Sequence, residues 1–162
     1  MQRPACRVIP VIHHIAPNLS LEQAKLAFEL GADGVFLISH HGDDASLIPL
    51  VNQIRQERPT AWLGINFLSK GLPDAFALAI DSDVRIDGIW SDRPGVTSAG
   101  YDTEALHLAT YRASLDDAGR PAPTIFASVA FKYQAFEPDP GLAAAKALEL
   151  SFTPTTSGAA TG

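Results

Sequence analysis

Two histidine pairs, His13-His14 and His40-His41, each stand at the end of an apolar run. Imidazole titrates nearest to neutrality of all side chains, so histidines there suit general acid/base work or metal ligation. Adjacent residues of an extended strand point to opposite faces, so one member of each pair at most can face a shared site. Two histidines with Asp43, Asp44 or Asp92 form a conceivable metal set, but the H-x-H spacing that puts two rings on one face is absent. We therefore assign no metal and no other cofactor; histidines that merely hydrogen-bond backbone or substrate are the alternative. Asp92 and Arg93 open the loop DRPGVTSAGY, where a carboxylate could take a proton or a hydroxyl and a guanidinium could clamp an anion, unless the two simply pair with each other. Lys132 follows IFASVAF, and counting by two puts it on one face with Ser128 and Ala130. Inside a barrel such a lysine could form a Schiff base or hold a phosphate, whereas a long stem can also carry it to solvent. Asn66 shares a face with Gly64 in GINF, a pairing that suits close ligand approach or an Asx turn. Last comes TTSGAATG at 155–162, with Thr156, Ser157 and Gly158, whose hydroxyls and backbone N–H groups could cradle a phosphate. Chain ends of similar composition are often without structure. We assign catalysis to His14, His41, Asp92 and Lys132, and substrate contact to His13, His40, Asn66, Arg93, Thr156, Ser157 and Gly158, while alternation leaves open which histidine of each pair faces the site.

These groups need elements to hold them. Short apolar runs at Arg7–His13, Gly34–Ser39, Ala61–Phe67, Gly88–Ser91, Thr124–Phe131 and Ser151–Thr155 read as buried parallel strands. Helical stretches separate them. The first opens at Ser20 with Gln23 three residues on, a capping-box pattern, and closes at Gly31. The second carries the stripe Leu47, Leu50, Val51 and Ile54, which accommodates Pro49 in its first turn only. A third runs from about Pro73 to Ile80; the fourth follows Asp102 as N-cap, with Leu106, Ala109 and Ala113 as its stripe. The fifth has Asp139 as N-cap and Pro140 at the first helical position.

Strand starts at 8, 35, 62, 88, 124 and 152 differ by 27, 27, 26, 36 and 28 residues, an internal βα repeat in which GADGVF and DGIW echo each other. Alternating strands and helices build a parallel sheet, either an open doubly wound sheet or a (βα) barrel. Length favours the open sheet, since a complete barrel takes about 250 residues. The loops favour the barrel. The first strand is followed by HHIAPN instead of a glycine-rich nucleotide loop, and nearly every strand ends in polar side chains. We expect a single TIM-type barrel domain over residues 1–162, incomplete, with five βα units and a sixth strand and lacking its last two units; the open doubly wound sheet is the runner-up.

Composition narrows the function. Net charge is −6 and the 12 Lys and Arg never form a run, which argues against nucleic acid as a partner. Apolar runs fall far short of the roughly 20 residues that span a bilayer, and no signal-peptide pattern opens the chain. A cytoplasmic protein is expected, with homo-oligomer formation and peripheral membrane association both compatible. The single Cys6 excludes an internal disulfide.

Taken together, VIPVIHH at 8–14, GADGVFLISHHGDD at 31–44, GINFLS at 64–69, ASVAFK at 127–132 and above all TPTTSGAATG at 153–162 resemble the BtpA-like family of barrel proteins. The resemblance implies a TIM-type barrel with its site at the carboxyl ends of the strands, drawn from His13 or His14, His40 or His41, Asn66, Asp92, Lys132 and Thr156-Ser157. It implies either an enzyme of phosphorylated sugars or nucleotide-like metabolites, by isomerase, aldolase or lyase chemistry, or a non-catalytic binding or assembly factor of the kind linked to photosystem biogenesis. The family's first strand carries one histidine before a proline-rich loop where this chain has HHIAPN, and two further βα units follow its Ser-Gly-Thr-Gly segment. A truncated, inactive product is the third expectation.

Overall fold

The computed structural model describes residues 6–158. In chain order the elements are β1 (Val11–His13), α1 (Pro17–Glu29), β2 (Gly34–Ile38), α2 (Leu47–Glu57), β3 (Trp62–Asn66), α3 (Leu72–Asp81), β4 (Gly88–Ser91), β5 (Val96–Thr97), β6 (Gly100–Tyr101), α4 (Thr103–Asp117), β7 (Thr124–Ser128), α5 (Pro140–Glu149) and β8 (Thr153–Thr155). A 3₁₀ turn at Asp44–Ser46 leads into α2. Six strands pair in parallel in the order β1-β2-β3-β4-β7-β8, which is their order in sequence. A doubly wound sheet begins in its middle and reverses direction, so its order is never sequential. Here nothing reverses, and right-handed crossovers place the helices on one face.

The other face curls on itself. Phe36 of β2 and Phe126 of β7 are three strands apart, about 14 Å in a flat sheet, yet their ring centroids lie 5.0 Å apart. The fold is an incomplete TIM-type barrel, an arc of six parallel strands where a closed barrel has eight.

Alternation along the strands sorts the core. One row, Ile12-Leu37-Ile65-Ile89-Ile125, runs in register across five strands and packs with Leu50, Val51, Ile54, Phe76 and Ala143 of the helices. The opposite face is aromatic: Phe36, Trp62, Trp90 and Phe126 meet edge to face or stacked. Glycines on that face are its sockets. A Cβ on Gly64 would lie 2.3 Å from the Phe36 ring, and one on Gly88 would lie 2.6 Å from Trp62.

The Asp-Gly echo in the sequence has a structural cause. Asp33 takes the Val8 amide on its carboxylate at 2.7 Å and returns its own amide to the Val8 carbonyl at 2.9 Å. Asp87 does the same with Leu63, at 2.9 and 2.8 Å. Each aspartate thus staples its strand to the preceding one, and the glycine after it makes room for Trp62. Arg55 and Arg85 complete the second staple by pairing with Asp87.

Several local expectations change. Helix α1 starts at Pro17 after Ala16, which offers no side-chain cap; Ser20 lies inside the helix, bonded to His14 instead of capping it. Pro49 does sit in the first turn of α2. Asp102 and Asp139 cap α4 and α5, accepting the Ala105 and Leu142 amides at 2.8 and 2.9 Å. In α4 the buried side chains are Ala105, Leu108 and Leu115, while Leu106 is exposed. The seventh strand stops at Ser128. Ala130 turns the chain with φ of 49°, so the alternation that would put Lys132 beside Ser128 no longer applies. The extra length of the fourth unit forms the β5–β6 hairpin, which packs on α5.

Candidate active site at the carboxyl ends of the strands

One inward row, His13, Ile38, Asn66, Trp90, Phe126 and Thr153, is aligned strand to strand and lies at or next to the carboxyl ends of β1 to β4, with Ser128 and Thr155 paired one step further along β7 and β8. Asn66 donates its amide to the Asp92 carboxylate at 3.3 Å. Trp90 donates its indole N–H to the Ser128 hydroxyl at 2.9 Å. Gln134, in the loop after β7, donates at 2.8 Å both to the Asp92 carbonyl and to the Ser128 carbonyl, and accepts the Phe131 amide at 2.9 Å. One glutamine thus clips the β7 loop to the end of β4. Between these groups lies a cavity of about 530 Å³ lined by Asn66, Lys70, Trp90, Asp92, Arg93 and Tyr133 among others.

Its charges come from loops. Arg93 is exposed and makes no salt bridge with Asp92, so the two do not neutralise each other. Lys70 follows Ser69, whose backbone amide donates to Asp44 at 2.9 Å and whose hydroxyl donates to the same carboxylate oxygen. Asp44 is 3% exposed. A buried aspartate in the loop after β2 therefore sets the loop that carries Lys70. The other carboxylate oxygen of Asp44 has no hydrogen-bond partner among the described residues.

The histidines divide as alternation requires. His13 faces inward and its ring stacks on His40, centroids 4.9 Å apart and planes inclined by 14°. His14 faces the helices, buried, with Nδ1 2.9 Å from the Ser20 hydroxyl. His41 is exposed, and its backbone amide donates to the Ser39 hydroxyl. His14, expected to be catalytic, thus lies on the far side of the sheet from the cavity, and the stacked pair is His13 with His40. Lys132 lies in the loop after β7 with its ammonium 5.2 Å from the Tyr133 ring centroid. Thr156 donates its hydroxyl to the Ala130 carbonyl at 3.1 Å. The side-chain oxygens of Thr155 and Ser157 are buried and have no partner among the described residues. Gly158 is the last described residue, and 159–162 of the hydroxyl-rich motif lie outside.

Lys70, Trp90 and Gln134 were not singled out by sequence reasoning. Lys70 carried a signal, a cation four residues beyond Asn66 in a βα loop; nothing in the sequence marks Gln134, whose role depends on β4 and β7 being neighbours. Among the described residues no three His, Cys, Asp or Glu side chains gather so as to hold a metal ion. Chemically, the cavity wall offers a carboxylate that accepts an amide hydrogen bond, two cations and an indole.

Beyond the cavity, the β5–β6 hairpin is tied down at two places. The Ser98 amide at its tip and the Asp139 amide both donate to Glu137 at 3.0 Å, and hydrogen bonds from Ser98 and then Asp139 hold that carboxyl below its usual range. On the other side Tyr101 donates its hydroxyl to Glu149, which also pairs with Lys146 at 3.1 Å.

No family model and no curated protein matches the chain. Solved structures do. Dihydrodipicolinate synthase from Thermotoga maritima superposes with a TM-score of 0.55 at 18% identity, covering 93% of this chain and 46% of that one. A probable mandelate racemase from Alicyclobacillus acidocaldarius gives 0.55 at 16% identity, over 94% and 43%. The likeness is one of fold. The chain spans under half the length of these barrel proteins. Among the described residues, no helix is long and apolar enough to cross a membrane.

Proposed function

We propose that residues 1–162 form a single barrel domain, short of two βα units, of an enzyme acting on a small phosphorylated metabolite, a sugar or a nucleotide-like compound. Isomerisation, aldol-type and elimination chemistry all need a base that removes a proton, from the carbon next to a carbonyl or from a hydroxyl itself. Asp92, held by Asn66, is the base in this reading; Lys70 and Arg93 receive the phosphate, and His13 with His40 stands at the neighbouring strand ends. The supporting observation is the cavity of about 530 Å³, whose lining includes the Asp92 carboxylate bonded to Asn66 and the two cations Lys70 and Arg93. Lys132, Thr156, Ser157 and Gly158 remain candidates for a second anion contact beside β8.

A panel of sugar phosphates and nucleotides, followed by thermal shift, tests the reading. A ligand present at a hundredfold excess over its Kd stabilises by about 2.7 kcal/mol, which raises Tm by roughly 5–10 °C for a domain of this size. Lys70→Ala and Arg93→Ala should abolish that rise. Absence of any rise across the panel sinks the proposal. A non-catalytic binding or assembly factor, as the BtpA-like resemblance allows, is the second reading. It is favoured by the exposed apolar residues Val8, Val11, Ile15, Leu26 and Leu30 beside β1 and α1. Asp92→Ala and Lys132→Ala separate the two, because an assembly factor keeps its function in both and an enzyme loses turnover while staying folded.

A further inference from the structure

The anion cavity does not stand alone. A second cavity of about 500 Å³ adjoins it, between the β5–β6 hairpin and the loop after β7, and Arg93, Gln134 and Ala135 line both. Its remaining walls are mostly apolar, with Pro94, Val96, Tyr101 and Phe136. Phe136 is 91% exposed at the rim of this second lobe, and Tyr133, 81% exposed, stands three residues earlier on the first. The loop between them is fixed, since Gln134 makes three hydrogen bonds to β4, β7 and its own turn. Two solvent-facing rings therefore stand on a loop that Gln134 anchors between the two lobes.

The charges give the pair of lobes a direction. Lys70 lines only the first lobe, and Glu137 lines only the second. Glu137 already accepts two backbone amides and is held ionised, so a further anion there would be repelled. An anionic group belongs in the first lobe and an uncharged flat group in the second, with Arg93 between them.

We propose that the two lobes bind one ligand in two parts: a phosphorylated sugar in the Asn66–Lys70–Asp92 lobe and a planar ring, of the nucleobase kind, against Phe136 in the hairpin lobe. The inference rests on the proposed function above and selects, within it, a nucleotide-class substrate over a bare sugar phosphate.

Calorimetric titration of the full chain with adenosine 5′-monophosphate, ribose 5-phosphate and adenosine tests it. The monophosphate should bind roughly tenfold tighter than ribose 5-phosphate, a gain within the range of base-on-aromatic stacking, and tighter than adenosine. Phe136→Ala, at a position too exposed to unfold the chain, should remove that gain and leave ribose 5-phosphate binding as it was. Lys70→Ala should weaken both phosphates alike. Equal affinity for the two phosphates, or a Phe136→Ala chain that still prefers the nucleotide, overturns the two-part site and leaves the phosphorylated-metabolite reading standing. Binding of neither phosphate also overturns the two-part site, and absence of a thermal shift across the whole panel overturns the phosphorylated-metabolite reading with it.

Discussion

Single side chains decide which face of this sheet does what. His13 and His14 are neighbours in sequence, yet one stacks on His40 at the mouth and the other is buried against Ser20. His14→Ala should lower stability by about 1–3 kcal/mol in urea unfolding, the cost of leaving a buried hydroxyl without its partner. His13→Ala should stay within about 0.5 kcal/mol of the parent, as exposed positions do, and weaken ligand binding instead. The reverse pattern would mean that the mouth is built from the other ring. Gly64 offers a sharper test of the inner face. Alanine there puts a methyl group 2.3 Å from a Phe36 ring carbon, and overpacking of this kind costs about 1–3 kcal/mol. Phe36→Leu in the same chain should recover part of the loss. An unaltered urea midpoint for Gly64→Ala would show that Phe36 is not seated over it.

At the scale of elements, the period of about 27 residues made the fold readable, because each βα unit repeats the same strand, crossover and return. The N-caps Asp102 and Asp139 were legible for the same local reason. Direction was not. Alternation says that two adjacent histidines part company, but only the register against Ile38 says which one turns inward. Nothing in IFASVAF announces that the strand stops at Ser128, and the stripe of α4 was ambiguous because its leucines lie on two faces, Leu108 and Leu115 on the buried one and Leu106 on the exposed one. Contacts between distant elements were equally hidden, and the hairpin's tether to α5 is one. The hydrogen bond from Tyr101, then the pairing with Lys146, holds the Glu149 carboxyl below its ordinary value near 4.5. The bond to Glu149 in turn raises Tyr101 above 10.0 and Lys146 above 10.5. A lowered carboxyl contributes stability above its unfolded pKa and loses it as pH falls through the folded one. Raised phenol and ammonium groups contribute below their unfolded values and lose it as pH rises through the folded ones. The tether therefore contributes in full between the ordinary carboxyl value of 4.5 and the ordinary phenol value of 10.0, and it opens only as pH falls through the lowered Glu149 value or rises through the raised Tyr101 value. Carbon-detected NMR titration should give Glu149 a midpoint below that of an ordinary glutamate, with Tyr101→Phe moving it upward. Identical midpoints in the two chains would remove the tether.

For the whole molecule, the difference between the two faces of the sheet matters most. A closed barrel buries both: helices cover the outside, and the strands opposite cover the inside. In this arc the outer row of Leu37, Ile65, Ile89 and Ile125 is fully buried under helices, whereas Trp62, Trp90 and Phe126 on the inner face are only partly covered. Burial sets the cost of truncation, since the loss comprises the transfer of the deleted carbons and the cavity that they leave. Leu37→Ala should accordingly cost about 2–5 kcal/mol. Phe126→Ala removes more carbon, and in a closed core it would cost at least as much, about 3–5 kcal/mol. In the open arc it should cost clearly less than Leu37→Ala, because water already reaches one side of the ring and the residues around the gap can settle into it. Urea unfolding of the two variants at several protein concentrations measures the difference. If Phe126→Ala proves the costlier change at every concentration, the inner face is packed within one chain; if it does so only at high concentration, a second molecule covers that face.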